Sequence, residues 1–243
     1  FRGFSPIHPP ALFVSPVDGA DIYPYARYVV IEGRNRPQEF LRDCNGLIGC
    51  MDVSPAGRMI AVGEVGSSSD VLVYKYSDRS LLYRFSEHDG GINCLAFSRD
   101  ERLLATVGDD DRLIIWDMKT GQMVSHHRVR TTTAIKWGGR VPDVKNRPTP
   151  TFYIATGGPF GPVLNVFDPS NGSLHEYPLP AAKYTRNITS FAFTDEYLLC
   201  STDSSDYLVF ELHSRTLQKV VPVGSKGLSY FYTDENSIIG GCG

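Results

Sequence analysis

The sequence predicts an all-β chain, a β-propeller of five full blades plus the start of a sixth. Three observations carry this. Short β-branched or alternating apolar runs are frequent, among them Tyr28 to Ile31, Val71 to Tyr76, Leu113 to Trp116, Val163 to Phe167 and Tyr207 to Leu212. Clusters of Gly, Asp, Ser and Pro separate them, and no long stretch has apolar residues at the three-to-four spacing of a helix. Finally, the sequence repeats. Ile92–Gly108 lies over Ile48–Gly63, with Phe97 falling on Val53, and the same apolar anchor recurs as Val14, Trp137, Phe193 and Tyr232. The anchors are spaced by 39, 44, 40, 56 and 39 residues. A period of about 40 with short strands fits a four-stranded propeller blade.

Each repeat reads in the same order. A first strand ends at the anchor and a turn follows, with Ser15-Pro16, Ser54-Pro55 or Thr194-Asp195-Glu196 chemistry. A second apolar strand comes next (Leu103 to Val107, Tyr197 to Ser201), then a third (Leu113 to Trp116). A polar turn such as Lys119-Thr120-Gly121 or Ser170-Asn171-Gly172 leads to a more polar outer strand. Blades are expected to start near residues 11, 47, 91, 131, 187 and 227. The long spacing is assigned to a loop inserted at 138–150, polar, proline-rich and locally basic; such loops tolerate insertion at little cost. One sheet cannot bury both of its own faces, so neighbouring blades must cover one another. Closed rings usually have seven blades, so the chain reads as part of a larger ring, with Phe1–Pro10 offered as an outer strand of its last blade.

Composition narrows the function. The 243 residues are 42% apolar and 21% charged, enough for a real core. A formal net charge of −3 argues against a general nucleic-acid binder, which needs a basic surplus. No apolar run approaches the roughly 20 residues of a membrane helix, and the opening Phe1-Arg2-Gly3-Phe4 lacks the apolar core of a signal peptide. The five cysteines (Cys44, Cys50, Cys94, Cys200, Cys242) include no C-x-x-C pair, which argues against a disulfide framework or a zinc site and for a reducing compartment.

The segment His88 to Asp117 carries the most specific signal: His88-Asp89-Gly90-Gly91, Leu104-Ala105-Thr106, Asp109-Asp110-Asp111 and Trp116-Asp117. It resembles a WD repeat. The resemblance implies a hydrogen-bonded chain through His88, Thr106, Asp110 and Trp116, structural rather than catalytic. Elsewhere the pattern is degenerate: Tyr74 or Tyr76, Phe167 and Phe210 stand near the Trp position, and only Asp168 keeps the following Asp. The opening residues, the Ile22-Tyr23-Pro24 tract and the long turn read at Ala61–Asp70 are further similar to the N-terminal propeller of the cilia- and flagella-associated WD-repeat proteins, relatives of the echinoderm microtubule-associated-protein-like proteins. That resemblance implies a structural role on the microtubules of an axoneme, in the cytoskeleton of a cilium or flagellum.

Catalytic and metal-binding readings are weaker. His126 and His127 are adjacent, so a strand points them to opposite faces. Asp109-Asp110-Asp111 lacks the ligand spacing of a calcium loop. Gly157–Pro162 is glycine-rich but has no G-K-[ST] ending and suits a turn. No nucleophile has a base nearby in the pattern. No cofactor, metal or enzymatic activity is therefore expected. Arg140, Lys145 and Arg147 form the one local charge cluster offered as a partner contact, with Arg34 and Arg36 a smaller patch. The expected partners are proteins, tubulin or other axonemal proteins among them, with no nucleic acid and no membrane. The competing assignment is a cytosolic peptide-binding adaptor in a signalling or ubiquitin-ligase complex.

Overall fold

A computed structural model describes residues 12–67, 69–141, 151–180 and 187–222, together with the backbone of 229–233 and 238–242. Every regular element among them is a strand. The strands form five four-stranded antiparallel sheets and one of two strands. Sheet I holds β1 (Phe13–Val14), β2 (Asp21–Tyr25), β3 (Tyr28–Glu32) and β4 (Glu39–Leu41). Sheet II holds β5 (Leu47–Val53), β6 (Met59–Val65), β7 (Val71–Lys75) and β8 (Leu81–Phe85). Sheet III holds β9 (Ile92–Phe97), β10 (Leu103–Gly108), β11 (Arg112–Asp117) and β12 (Gln122–Arg128). Sheet IV holds β13 (Ala134–Arg140), β14 (Phe152–Gly158), β15 (Gly161–Asp168) and β16 (Ser173–Pro178). Sheet V holds β17 (Ile188–Phe193), β18 (Tyr197–Thr202), β19 (Asp206–Glu211) and β20 (Leu217–Pro222). Sheet VI is β21 (Ser229–Thr233) with β22 (Ile238–Cys242). In every four-stranded sheet the strands neighbour one another in chain order, the form of a WD-type propeller blade.

The chain divides into two compact units, Phe1–Arg128 and Val129–Gly243. In the first, the reason for the continuous apolar runs is plain. Strand alternation sends Ile60, Val62, Leu72 and Tyr74 to one face of sheet II, where they meet Ile22, Val29, Ile31 and Leu41 of sheet I. The intervening Ala61, Val71 and Val73 face the other way and meet Ile92, Phe97, Leu104, Ile114 and Trp116 of sheet III. The central strands of sheet II thus have no solvent face along Ile60–Val62 and Val71–Tyr74, whose side chains are fully buried. In the second unit, Tyr153, Ala155 and Leu164 of sheet IV meet Phe191, Phe193, Leu198, Leu208 and Phe210 of sheet V.

Several local expectations change. The anchors Phe97, Trp137 and Phe193 are buried and Val53 is half-buried, but Val14 is exposed: it shares a face of sheet I with Asp21 and Glu32, opposite the face that sends Phe13, Ile22 and Ile31 into the core; the side chain of Tyr232 is outside the described residues. The strand β6 runs on through Ala61–Val65, so the turn read at Ala61–Asp70 begins only at Gly66. Gly138, Gly139 and Arg140, placed in the inserted loop by sequence, belong to β13, which passes a register irregularity between Trp137 and Arg140; residues 142–150 lie outside the described residues, as do residues 1–11 with the proposed latch strand. Pro24 sits inside β2 opposite Val29, tolerated because β1 pairs only with Asp21 and Ile22 and demands no amide from Pro24.

Candidate functional site

Sheet III brings His88, Thr106, Asp110 and Trp116 together. Leu104 lies opposite both Phe97 and Trp116, so Thr106, two residues on, faces the same side as the indole. Trp116 Nε1 donates to Thr106 Oγ1 at 3.0 Å. Thr106 Oγ1 lies 2.8 Å from His88 Nε2, and His88 Nδ1 lies 3.0 and 3.1 Å from the two carboxylate oxygens of Asp110. One proton arrangement satisfies every member: the indole donates to the hydroxyl, the hydroxyl to Nε2, and Nδ1–H to the carboxylate. Asp110 also accepts from the amides of Asp89 (3.0 Å) and Arg112 (3.1 Å) and from Arg112 Nε (2.8 Å). The chain therefore fastens the loop before β9 and the β10–β11 turn to the third strand. Phe85 of β8 stacks on Trp116, ring centroids 4.0 Å apart and 9° from parallel, extending the contact to sheet II.

The electrostatics fit a neutral imidazole. Burial pushes the His88 pKa below its usual value, outweighing the nearby Asp110 carboxylate. Burial pushes Asp110 up, but the Asp89 amide and His88 overcome it and hold the carboxylate at about 2. The pair is a neutral ring hydrogen-bonded to a carboxylate. Thr106 is fully buried and His88 nearly so, so no reactant reaches the hydroxyl, and a triad-like reading fails on access rather than on distance.

Sheets II and IV solve the same problem with other residues, of which the sequence reading named only Tyr74. By register, Tyr74 opposite Ile60 takes the place of Trp116. Its hydroxyl approaches Cys44 Sγ at 3.9 Å, and Cys44 occupies the repeat position of His88. The buried Glu64 accepts from the amides of Asn45 (2.6 Å), Gly46 (3.0 Å) and Asp70 (3.1 Å), tying the preceding loop to the β6–β7 turn as Asp110 does. In sheet IV the residue opposite Ile154 is Asn165, not Phe167. Its Nδ2 donates to Thr156 Oγ1 and to the Ile154 carbonyl, both at 3.0 Å. Phe167 instead packs edge-on against Trp137, 6.0 Å between centroids. In sheet V, Phe210 does lie opposite Leu198 at the Trp position.

The other sequence candidates resolve singly. Arg140 is exposed at the end of β13, while Lys145 and Arg147 lie outside the described residues, so no joint basic surface is described. Arg36 pairs with Asp18 at 3.2 Å. His126 is exposed and His127, one residue on, half-buried beside Ser125. Asp109–Asp111 form a turn in which Asp111 has a φ of 55°. The thiols of Cys50, Cys94 and Cys200 are buried; burial pushes Cys50 up to about 12 and the other two well above the usual value. Among the described residues no cluster of three or more His, Cys, Asp or Glu could hold a metal, and no helix is long and apolar enough to cross a membrane.

The four-residue chain falls within residues 79–117, which match the family model of the WD domain, G-beta repeat. The matched segment runs from β8 of sheet II through β9–β11 of sheet III. The similarity to known proteins extends beyond this one segment. The chain is 28% identical over 202 residues to "Cilia- and flagella-associated protein 52" of Chlamydomonas reinhardtii, covering 79% of this chain and 31% of that protein. It is 34% identical over 122 residues to the human protein of the same name, covering 48% and 20% respectively. A third relative, "Centriole proteome protein 16" of Chlamydomonas reinhardtii, is 27% identical over 179 residues. The chain spans less than a third of the length of these relatives.

Proposed function

We propose that the chain is part of a non-enzymatic protein-interaction scaffold of cilia or flagella, a structural element associated with the microtubules of the axoneme. The observation that carries this reading is the similarity to the algal and human proteins named as cilia- and flagella-associated, the former running along most of the chain. The geometry agrees with it. The best-formed polar constellation is buried and consumed in holding loops to strands, leaving surface and loops for contact with partners. The formal charge of −3 favours specific loop contacts over general attraction to acidic tubulin surfaces. The test is localisation of the full-length protein in flagellated cells, followed by detergent extraction. Retention in the demembranated axoneme supports the proposal. A wholly detergent-soluble cytosolic pool contradicts it and favours the cytosolic adaptor.

A further inference from the structure

At one end of the unit Phe1–Arg128, the start of β5, the end of β6, the loop before β9 and the β10–β11 turn meet. Leu47 and Val65 are register partners there, so their side chains stand side by side on one face of sheet II, 58% and 45% exposed. Glycines surround them. Val65 Cγ1 lies over Gly49, where an added Cβ would come within 2.3 Å of it, and Gly66, Gly90 and Gly91 carry bare backbone on towards sheet III. The same glycines seat a carboxylate. A Cβ added at Gly91 would lie 3.0 Å from Asp109 Oδ2 and 3.6 Å from Val65 Cα, so the carboxylate and the apolar pair flank one residue. Asp109 is exposed, and its carboxylate has no hydrogen bond or ion pair among the described residues. Asp89, on the other side of Gly90, is also exposed; its partner is Arg112 at 2.8 Å, a guanidinium it shares with Asp110. Beyond Leu47 the charge reverses: Ile48 N donates to the Ala26 carbonyl at 2.8 Å, which brings the exposed Arg27 alongside.

Single exposed apolar side chains are ordinary on a protein surface. This pair differs in being joined to an unpaired carboxylate across backbone that carries no side chain to block another chain. We propose that this surface docks an extended segment of a partner protein in which a lysine or arginine stands two positions from an apolar residue. The apolar side chain covers Leu47 and Val65, and the cation meets Asp109. Alternation puts residues i and i+2 of an extended segment on one face, about 7 Å apart. Arg27 sets the polarity, because a cation placed at the Leu47 end meets like charge while one at the Gly91 end meets Asp109. The proposal rests on the reading of the chain as an interaction scaffold, and supplies the chemistry of one contact.

The test titrates the full-length protein with the peptide acetyl-Gly-Leu-Gly-Lys-Gly-amide and follows NMR shifts of the Gly91 amide and the Leu47 and Val65 methyl groups. At low salt, saturable shifts are expected with millimolar affinity. The same peptide with glutamate in place of lysine should bind at least about threefold more weakly, the scale of an exposed ion pair. D109N should remove most of that preference and D109K should reverse it, and raising the salt should shrink it. The double variant L47S/V65S, on exposed side chains, should keep the urea midpoint of the fold and weaken both peptides several-fold at Gly91. Absence of saturable shifts, equal binding of the two peptides, a preference unchanged in D109K, or undiminished binding by L47S/V65S overturns the proposal. The measurement needs no cell, so it can fail while axonemal localisation stands, and the reverse.

Discussion

Replacing Thr106 with valine tests the buried chain of sheet III most sharply, because it removes a hydroxyl that serves two neighbours while nearly keeping the side-chain shape. Trp116 Nε1, 3.0 Å away, loses its acceptor, and His88 Nε2, 2.8 Å away, loses its donor. Trp116 and His88 are 1% and 6% exposed, so water cannot substitute. Each buried polar group left unsatisfied costs about 1–3 kcal/mol, giving a combined loss of about 2–6 kcal/mol. Thr106→Ser keeps the hydroxyl and loses one methyl, about 1 kcal/mol. Urea denaturation followed by tryptophan fluorescence measures this, since Trp116 and Trp137 lie in different units; Trp137→Phe leaves Trp116 as the reporter of Phe1–Arg128. A Thr106→Val loss below about 0.5 kcal/mol, or one no larger than that of Thr106→Ser, would refute the account of this network.

Other outcomes follow from the same structure. Glu64→Gln leaves one oxygen for amides that two carboxylate oxygens now serve, and should lower stability by about 1–3 kcal/mol in the same denaturation assay. Gly121→Ala should destabilise by more than about 1 kcal/mol, because the glycine has a φ of 69° and an added Cβ would lie 2.4 Å from Tyr83; an unchanged midpoint contradicts the turn geometry. Acidification should destabilise the first unit in two stages. His88 has a folded pKa below 6.5, so its contribution is complete above pH 6.5 and is lost as pH falls through the lowered value; Asp110, held at about 2, adds a loss from about pH 3.8 downwards. A midpoint that is flat from pH 8 to pH 3 contradicts both. Cys50, Cys94 and Cys200 should resist iodoacetamide in the folded chain and react on unfolding, as counted by mass spectrometry.

How much of this was legible in the sequence varies from sheet to sheet. Sheet III was readable to the residue, because His88, Thr106, Asp110 and Trp116 all keep the residue types that the WD pattern needs. Sheet II hid its equivalent. Glu64 looked like part of a turn, although the strand continues through it, and a Cys44–Tyr74 contact has no sequence motif. The signal that existed was positional: Cys44 falls on His88 once Cys50 is laid over Cys94. Sheet IV misled through turn length. Five residues separate Val107 from its partner Leu113, but four separate the equivalent Gly157 from Pro162, and the residue reaching the Trp position is Asn165, two before the Phe167 singled out by its following Asp168. Strand alternation alone could not show that Val14 is exposed, since that depends on which face of sheet I is covered, and the covered face with Phe13, Ile22 and Ile31 is the opposite one.

Mutual cover between neighbouring sheets is the claim on which the rest depends, and native-state hydrogen exchange read by mass spectrometry tests it directly in the unit Phe1–Arg128. Amides of β6 and β7, paired on both edges and buried on both faces, should exchange only through unfolding of the unit, while the outer strand β8, with Leu81 and Leu82 exposed, should exchange at least about a hundredfold faster. Equal protection in β7 and β8, or fast exchange in β6, would contradict it.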